Sequence, residues 1–282
     1  MFQVTEIKVP PDVDFDSNFK FITLPRSNVT QNDDTPSSSQ SSPRKYLWHS
    51  PKVRGTALHR KRKEELPKYA FEDVLTVTAQ DRFSKNLLLI YWTLKDFSEG
   101  QKVIAREVPI YGRIGNVILS GYIDEMRFTK DRNKIIVSEL KSGDDYEDSP
   151  AKTKNENRLQ VVLYYYLLKT LHKIDIQPVC TTLSIDGEKT IIEDLLSYCP
   201  DGVTTPKELL KAIKLLPKLS YGFLVVEYVQ AFYTEQYELS ENPKDKEVVL
   251  FDEDLLKRIV EEHVKAKASP SQSVVRNLTL EL

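Results

Sequence analysis

Three charged residues sit where they could do chemistry together. Asp124 lies in Gly121-Tyr-Ile-Asp-Glu-Met-Arg-Phe-Thr129, and Glu139 and Lys141 lie in Ile135-Ile-Val-Ser-Glu-Leu-Lys-Ser142. Side chains alternate across a strand, so Glu139 and Lys141 share one side while Ile136, Ser138 and Leu140 take the other. If the two runs pair across a turn at Lys130–Lys134, Asp124 comes beside Glu139. Hard divalent cations take few protein carboxylates and keep several waters. A bound ion makes water a better nucleophile and steadies the charge on a phosphate during displacement. An ammonium beside it orients that water or meets phosphate charge. Asp followed a hairpin later by Glu-x-Lys is thus a pattern for metal-dependent phosphodiester hydrolysis. The same residues also fit a solvated strand, and this pattern alone does not decide between the two.

Further candidates flank this trio. Gly55 and His59 are four apart in a helical run, Arg54–Leu66, that stops at Pro67; four residues put them on one face, a turn apart. The glycine lets a backbone or ligand come close. The histidine reads as a metal ligand, a phosphate contact or an incidental surface residue. The basic run Arg60–Lys63 is either a solvated face or a contact for a phosphate backbone. Glu107, just before Pro109, is a third acid or an exposed strand residue. Gln160 and Tyr164 share a helix face, and a glutamine in that stripe needs hydrogen-bond partners.

These residues require a particular set of elements. Helical periodicity over residues 81–97, with Gly100 after it, marks a core helix. Val103–Tyr111 alternates as a strand, Gly112–Gly115 reads as a hairpin turn, and Val117–Phe128 is the next strand. With the Glu-x-Lys run these make a three-stranded meander carrying the acids. Asp144–Glu156 is polar and reads as a loop. A helix follows from Asn157, with Leu159, Val162, Leu163 and Tyr166 turned to the sheet. Val179–Ile185 and Thr190–Asp194 look strand-like, Thr205–Leu216 helical, and Phe223–Tyr233 a strand. Asp252–Lys267 is a closing helix capped by Asp252. Residues 27–44, rich in Ser, Asn, Asp, Gln and Pro, form a flexible polar linker. The expected division is an extension over 1–50, one domain over 51–268 and a loose tail over 269–282.

Composition sets outer limits. The 282 residues are 40% hydrophobic and 29% charged, an ordinary globular balance, and 40 basic against 42 acidic residues leave local clustering to decide about nucleic acid. No apolar run nears the ~20 residues of a membrane-spanning helix, so no membrane partner is expected. Cys180 and Cys199 lack the C-x-x-C spacing of a zinc site and read as reduced thiols. The first 24 residues show no arginine-rich transit pattern.

Taken in order, Gly55-x-x-x-His59, Glu107 before Pro109, Gly121-x-x-Asp124, Glu139-x-Lys141 and Gln160-x-x-x-Tyr164 resemble the RecB-like branch of the PD-(D/E)XK nuclease superfamily. The wording of Arg106-Glu-Val-Pro-Ile-Tyr-Gly112, Leu119-Ser-Gly-Tyr-Ile-Asp-Glu125, Val137-Ser-Glu-Leu-Lys-Ser142, Gln160-Val-Val-Leu-Tyr-Tyr165 and Val225-Val-Glu-Tyr-Val-Gln230 is similar to the exonuclease V family, over roughly residues 52–267. The resemblance implies an α/β, restriction-endonuclease-like core with a central mixed sheet flanked by helices. It implies a Mg2+- or Mn2+-dependent exonuclease that degrades single-stranded DNA to short oligonucleotides in genome maintenance, acting as a monomer in the nucleus or the mitochondrion. Carried over by motif, Asp124 and Glu139 hold the ion, His59 and Glu107 complete its shell, Lys141 positions the attacking water, and Gln160 and Tyr164 orient the metal site or the strand. Members of that family carry four cysteines for a 4Fe–4S cluster. Here none precedes His59 and none follows Cys199, so the expectation is a member without the cluster: a shortened one, a cluster-free variant or an incomplete gene product. Two rival expectations stand beside this one: a cleavage-deficient single-stranded-DNA-binding member of the same fold, and an interaction protein whose charges decorate its surface with Asp124 and Glu139 far apart.

Overall fold

The computed structural model describes residues 3–5, 20–21, 51–115, 117–142, 151–233, 239–254 and 256–260. The fold is α/β, a mixed sheet flanked by helices. Its strands are β1 (Gln3–Thr5), β2 (Lys20–Phe21), β3 (Ile104–Ile114), β4 (Val117–Phe128), β5 (Ile135–Ser142), β6 (Tyr221–Tyr233) and β7 (Leu239–Val249). Its helices are α1 (Pro51–Glu64), α2 (Ala79–Ser98), α3 (Ala151–Thr170), α4 (Ile176–Leu183), α5 (Glu193–Leu196) and α6 (Pro206–Leu215), with helical residues also at 253–254 and 256–260. The linker over 27–44, the tail over 269–282 and the closing helix beyond residue 260 fall outside the described residues.

β3, β4 and β5 form the expected antiparallel meander. β5 then runs parallel to β6, the connection between them carrying α3 to α6, and β7 returns antiparallel to β6. β1 adds to the far edge of β7, and β2 pairs with Leu119 and Ser120 of β4. The predicted turn at Gly112–Gly115 is shorter than expected: Gly112 and Arg113 still pair with Leu119 and Ile118, and the chain turns after Ile114 at Gly115, whose φ is +56°. Gly112 has another purpose. A Cβ there would stand 2.5 Å from Leu167, so its bare backbone lets α3 settle onto β3.

Capping chemistry sets the helix ends. Thr78 and Asp81 form a capping box at α2: Asp81 N donates to Thr78 Oγ1 at 3.1 Å, and Thr78 N donates to Asp81 Oδ2 at 2.9 Å. Thr205 and Glu208 do the same for α6. Three expectations change. α3 begins at Ala151 rather than after Glu156, because its polar first turns are used: Asn155 is buried and accepts from Arg158, which binds Glu247. Val179–Ile185 is not a strand; Ile176, Val179 and Cys180 fill one buried face of α4, Asp175 caps it, and Ser184 ends it in the left-handed region at φ +54°. Thr190–Asp194 is not a strand either, and leads into the single turn of α5.

The core lies between the sheet and α2 and α3. Leu87, Leu88, Ile90 and Phe97 of α2 and Val161, Val162 and Leu163 of α3 are buried with Ile110, Ile123, Met126 and Val137 of the sheet. Burial on this scale fixes the strand register, because a one-residue slip would turn each apolar side chain to the wrong face.

Candidate metal centre

The site is made where two strands part. The β4–β5 ladder runs from Phe128 opposite Ile135 to Glu125 opposite Ser138 and stops. One step further would set Asp124 opposite Glu139. On that edge of β4, Gly121–Asp124 has no strand partner among the described residues, because β2 takes only Leu119 and Ser120. A backbone N–H left in such a gap needs an acceptor. Asp124 supplies it: Leu140 N donates to Asp124 Oδ2 at 2.7 Å. The carboxylate is thereby fixed beside the Glu-x-Lys run, with its second oxygen free to face elsewhere.

That oxygen faces α1. His59 Nδ1 is 3.7 Å from Asp124 Oδ1 and 3.1 Å from Glu107 Oε1. One ligand atom from each of His59, Glu107 and Asp124 falls within 4.8 Å of the others. Two backbone features build this cluster. Gly55 lies against the Ser142 side chain with no room for a Cβ, which brings α1 close enough for His59, one turn on, to reach the acids. Glu107 adopts φ +52°, and its neighbours Arg106 and Val108 pair with Glu125 and Ile123 while it does not. A non-glycine residue held there costs about 1–3 kcal/mol, and the paired residues on both sides impose it.

The other half of the site is a relay of hydrogen bonds. Lys141 Nζ is 2.6 Å from Glu139 Oε1 and donates to Gln160 Oε1 at 2.9 Å. Gln160 Nε2 donates to Tyr164 Oη at 3.2 Å. Tyr164 lies against Gly121, where a Cβ would stand 2.5 Å from its ring. Gln160 therefore finds the partners that its apolar stripe demanded. The structure gathers His59, Glu107 and Asp124 into one cluster and links Glu139, Lys141, Gln160 and Tyr164 in a chain of polar contacts beside it. Glu139 falls outside the three-residue cluster, but its carboxylate feels the charge of Asp124, and its Oε1 is held by Lys141.

Electrostatics mark the place as short of positive charge. Burial pushes Asp124 up to about 7; Lys141 pulls against the rise and Glu107 adds to it. Burial and then the charge of Asp124 push Glu139 up to about 8. Burial works to lower Lys141, but Glu139 and Asp124 outweigh it and the ammonium ends above its ordinary value. Glu139 Oε2 is buried with no hydrogen-bond partner. A buried, unpartnered carboxylate oxygen beside a carboxylate–imidazole cluster fits a divalent cation: the donors are hard, and burial leaves them under-neutralised. Surface decoration does not describe these acids, since Glu139 is 2% exposed and Asp124 bonds the backbone of the next residue in the Glu-x-Lys run.

Two arginines also line the cleft at His59, Glu107 and Asp124: Arg62, which belongs to the basic run Arg60–Lys63, and Arg106, to which the sequence assigned no role. Arg62 follows His59 by three residues on one helix, and this spacing was the available signal. The two cysteines are free thiols, each pushed up to about 11 by burial. Two thiols cannot supply the four ligands of a 4Fe–4S cluster within one chain. No protein-family model matches the sequence, and no curated protein matches it.

Proposed function

We propose that this chain is a metal-dependent nuclease of the PD-(D/E)XK type, of the exonuclease V family, acting on phosphodiester bonds of single-stranded DNA. One observation carries the proposal: Asp124 occupies the gap between parting strands, bonded to the backbone beside Glu139, with Lys141 held between Glu139 and Gln160. Asp124 Oδ1 and the unpartnered Glu139 Oε2 would hold a Mg2+ ion, with Glu107 and His59 completing the protein side of its shell. The ion, when bound, would lower the pKa of a water and balance charge on the phosphate. Lys141 has two fixed partners and presents its remaining N–H to that water or to a phosphate oxygen. Gln160, itself steadied by Tyr164, fixes the direction in which Lys141 points. Arg62 and Arg106 line the same cleft, and a phosphodiester backbone there would compete with Glu241 and Glu125 for them.

The test is digestion of an end-labelled single-stranded oligonucleotide in Mg2+. The wild-type chain should shorten it, and Asp124→Ala and Lys141→Ala should reduce the rate at least a hundredfold. Equal digestion by all three would reject this centre. The cysteine count favours a second reading, in which the same fold binds single strands without cutting them. That version predicts retention of the labelled strand, weakened steeply by added salt, with no shortening in Mg2+ or Mn2+.

A further inference from the structure

A cavity of about 330 Å³ opens between α3, the turn Leu171–Lys173, the C-terminal end of α6 and the start of β6. It shares no lining residue with the metal centre, and its chemistry is the reverse. Its wall is apolar, with Leu168, Leu171, Ile213 and Leu216, and the Tyr165 and Tyr221 rings meet edge to face at 5.7 Å beside it. The titratable nitrogen groups that line it are Lys169, His172 and Lys218, and no carboxylate lines it. Lys169 is shared between Glu253 at 3.5 Å and the Phe251 ring, whereas Lys218 is exposed. His172 is pushed below its ordinary value by burial and, less, by the charges of Lys218 and Lys173.

We propose that this cavity binds a small amphipathic anion, its apolar body against Leu168, Leu171, Ile213 and Leu216 and its acid group among Lys169, His172 and Lys218. The two halves of the lining exclude simpler occupants. Free phosphate would leave the leucine wall against water, and a neutral hydrocarbon would make no use of Lys218, which meets no carboxylate at the rim among the described residues. The volume lies at the lower end of small-molecule sites, roughly 300–1,000 Å³, which suits a body of about a dozen non-hydrogen atoms. The proposal is independent of the nuclease reading.

The full chain is titrated with decanoate, followed by displacement of 8-anilinonaphthalene-1-sulfonate fluorescence, with decanol and a single-stranded oligonucleotide as comparison competitors. The expected result is one saturable decanoate site, decanol at least tenfold weaker, and no displacement by the oligonucleotide. Lys218→Glu should weaken decanoate about tenfold, near one factor of ten per 1.4 kcal/mol, and leave decanol within twofold. Leu216→Trp, which fills the cavity, should abolish both. Lys218 is exposed, so its variant carries the test even if Leu216→Trp fails to fold. Three outcomes would overturn the proposal: no saturable decanoate binding, equal affinity for decanol and decanoate, or displacement by the oligonucleotide alone.

Discussion

The two helices that serve the candidate metal centre are attached to the sheet by opposite means. α3 is held by packing: Leu159, Val161, Val162, Leu163 and Leu167 are buried, and Gly112 and Gly121 leave room for Leu167 and Tyr164. α1 has a small apolar contact, in which Leu58 joins Leu140 and Val229, and is otherwise tied down by charge. Arg62 donates to both oxygens of Glu241, two of those contacts at 2.9 Å, and lies 3.6 Å from Glu227. Glu227 also meets Lys246 at 3.0 Å. Arg106 donates to the Arg62 carbonyl, to Glu65 and to Glu125. Packing is non-directional and insensitive to salt, whereas charged seams are directional and weaken as ions are added. The half of the site that holds Lys141 is therefore built rigidly, and the half that brings in His59 is tunable.

The largest expected effect tests that contrast directly. Leu163→Ala should cost about 2–5 kcal/mol through lost burial and a cavity that cannot collapse, read as a fall in denaturation midpoint at unchanged m-value. Leu58→Ala should cost at least about 1 kcal/mol less, because its cluster is small and can close over the gap. Equal costs would erase the distinction between the seams.

The next effect arises where the two halves meet. Asp124 at about 7 and Glu139 at about 8 lie above ordinary carboxyl values, near 4 in an unfolded chain. A raised carboxyl binds protons more tightly folded than unfolded. Its stabilisation is full below about pH 4 and is lost as pH climbs through the folded value. The metal-free protein should therefore lose several kcal/mol between pH 4 and pH 8.5 from this pair. The lowered acids Asp81, Glu208 and Glu253 act at more acidic pH and do not mask the trend. Mg2+ should raise the melting temperature at pH 8.5 and do little at pH 5, since protons compete for the same oxygens. Asp124→Asn keeps an acceptor for Leu140 and should raise the metal-free melting temperature at pH 8.5 while removing the response to Mg2+. A melting temperature that rises steadily from pH 5 to 8.5 without metal would contradict this assignment.

Much of this was legible in the residues, for a physical reason. The meander shows because half-buried strands alternate; Asp124, Glu139 and Lys141 show because Asp with Glu-x-Lys a hairpin later suits a hard cation, and Gln160, on the same helix face as Tyr164, because a buried amide demands partners. What was hidden depends on context. β7 contains Asn242, Pro243, Asp245 and Lys246, a poor strand by propensity. It forms because β6 offers a ladder, and a register shift next to Val229, the partner of Pro243, accommodates the proline. The Val179–Ile185 run is rich in β-branched residues, yet its buried spacing is helical. Nothing in a glutamate announces a left-handed backbone, so the strain at Glu107 is visible only in the fold. The basic run Arg60–Lys63 left a solvated face and a phosphate contact both open, and only the packing of α1 on the sheet sets Arg62 and Arg106 at the cleft.

A smaller effect separates the seams by salt. Raising NaCl from about 0.15 to 1 M shortens the screening length from about 8 to 3 Å. Amide exchange in α1 should quicken severalfold, while exchange in the buried turns of α3 stays within twofold. Arg62→Met should speed α1 exchange at low salt and remove most of its salt dependence. It should also cost about 1–2 kcal/mol, less than a fully buried pair because Glu241 is one-third exposed. Salt-independent exchange in the wild type would mean that Leu58, not the arginines, fixes α1.

The smallest effect concerns one dihedral angle. Glu107 stands at φ +52° between paired neighbours, where glycine is at ease and glutamate is strained. Glu107→Gly removes that strain and one carboxylate next to Asp124, and it adds unfolded-state freedom that works the other way. The net should be a gain of up to about 1 kcal/mol in the metal-free protein, seen as a small rise in denaturation midpoint. Mn2+ affinity, measured by calorimetry, should fall about tenfold or more. Glu107→Gln keeps the strained backbone and loses the charge, so it should lose a similar share of the affinity without the gain in stability. If Glu107→Gly destabilises the fold while Glu107→Gln does not, the left-handed turn is held by favourable contacts of the side chain rather than imposed by the strands around it.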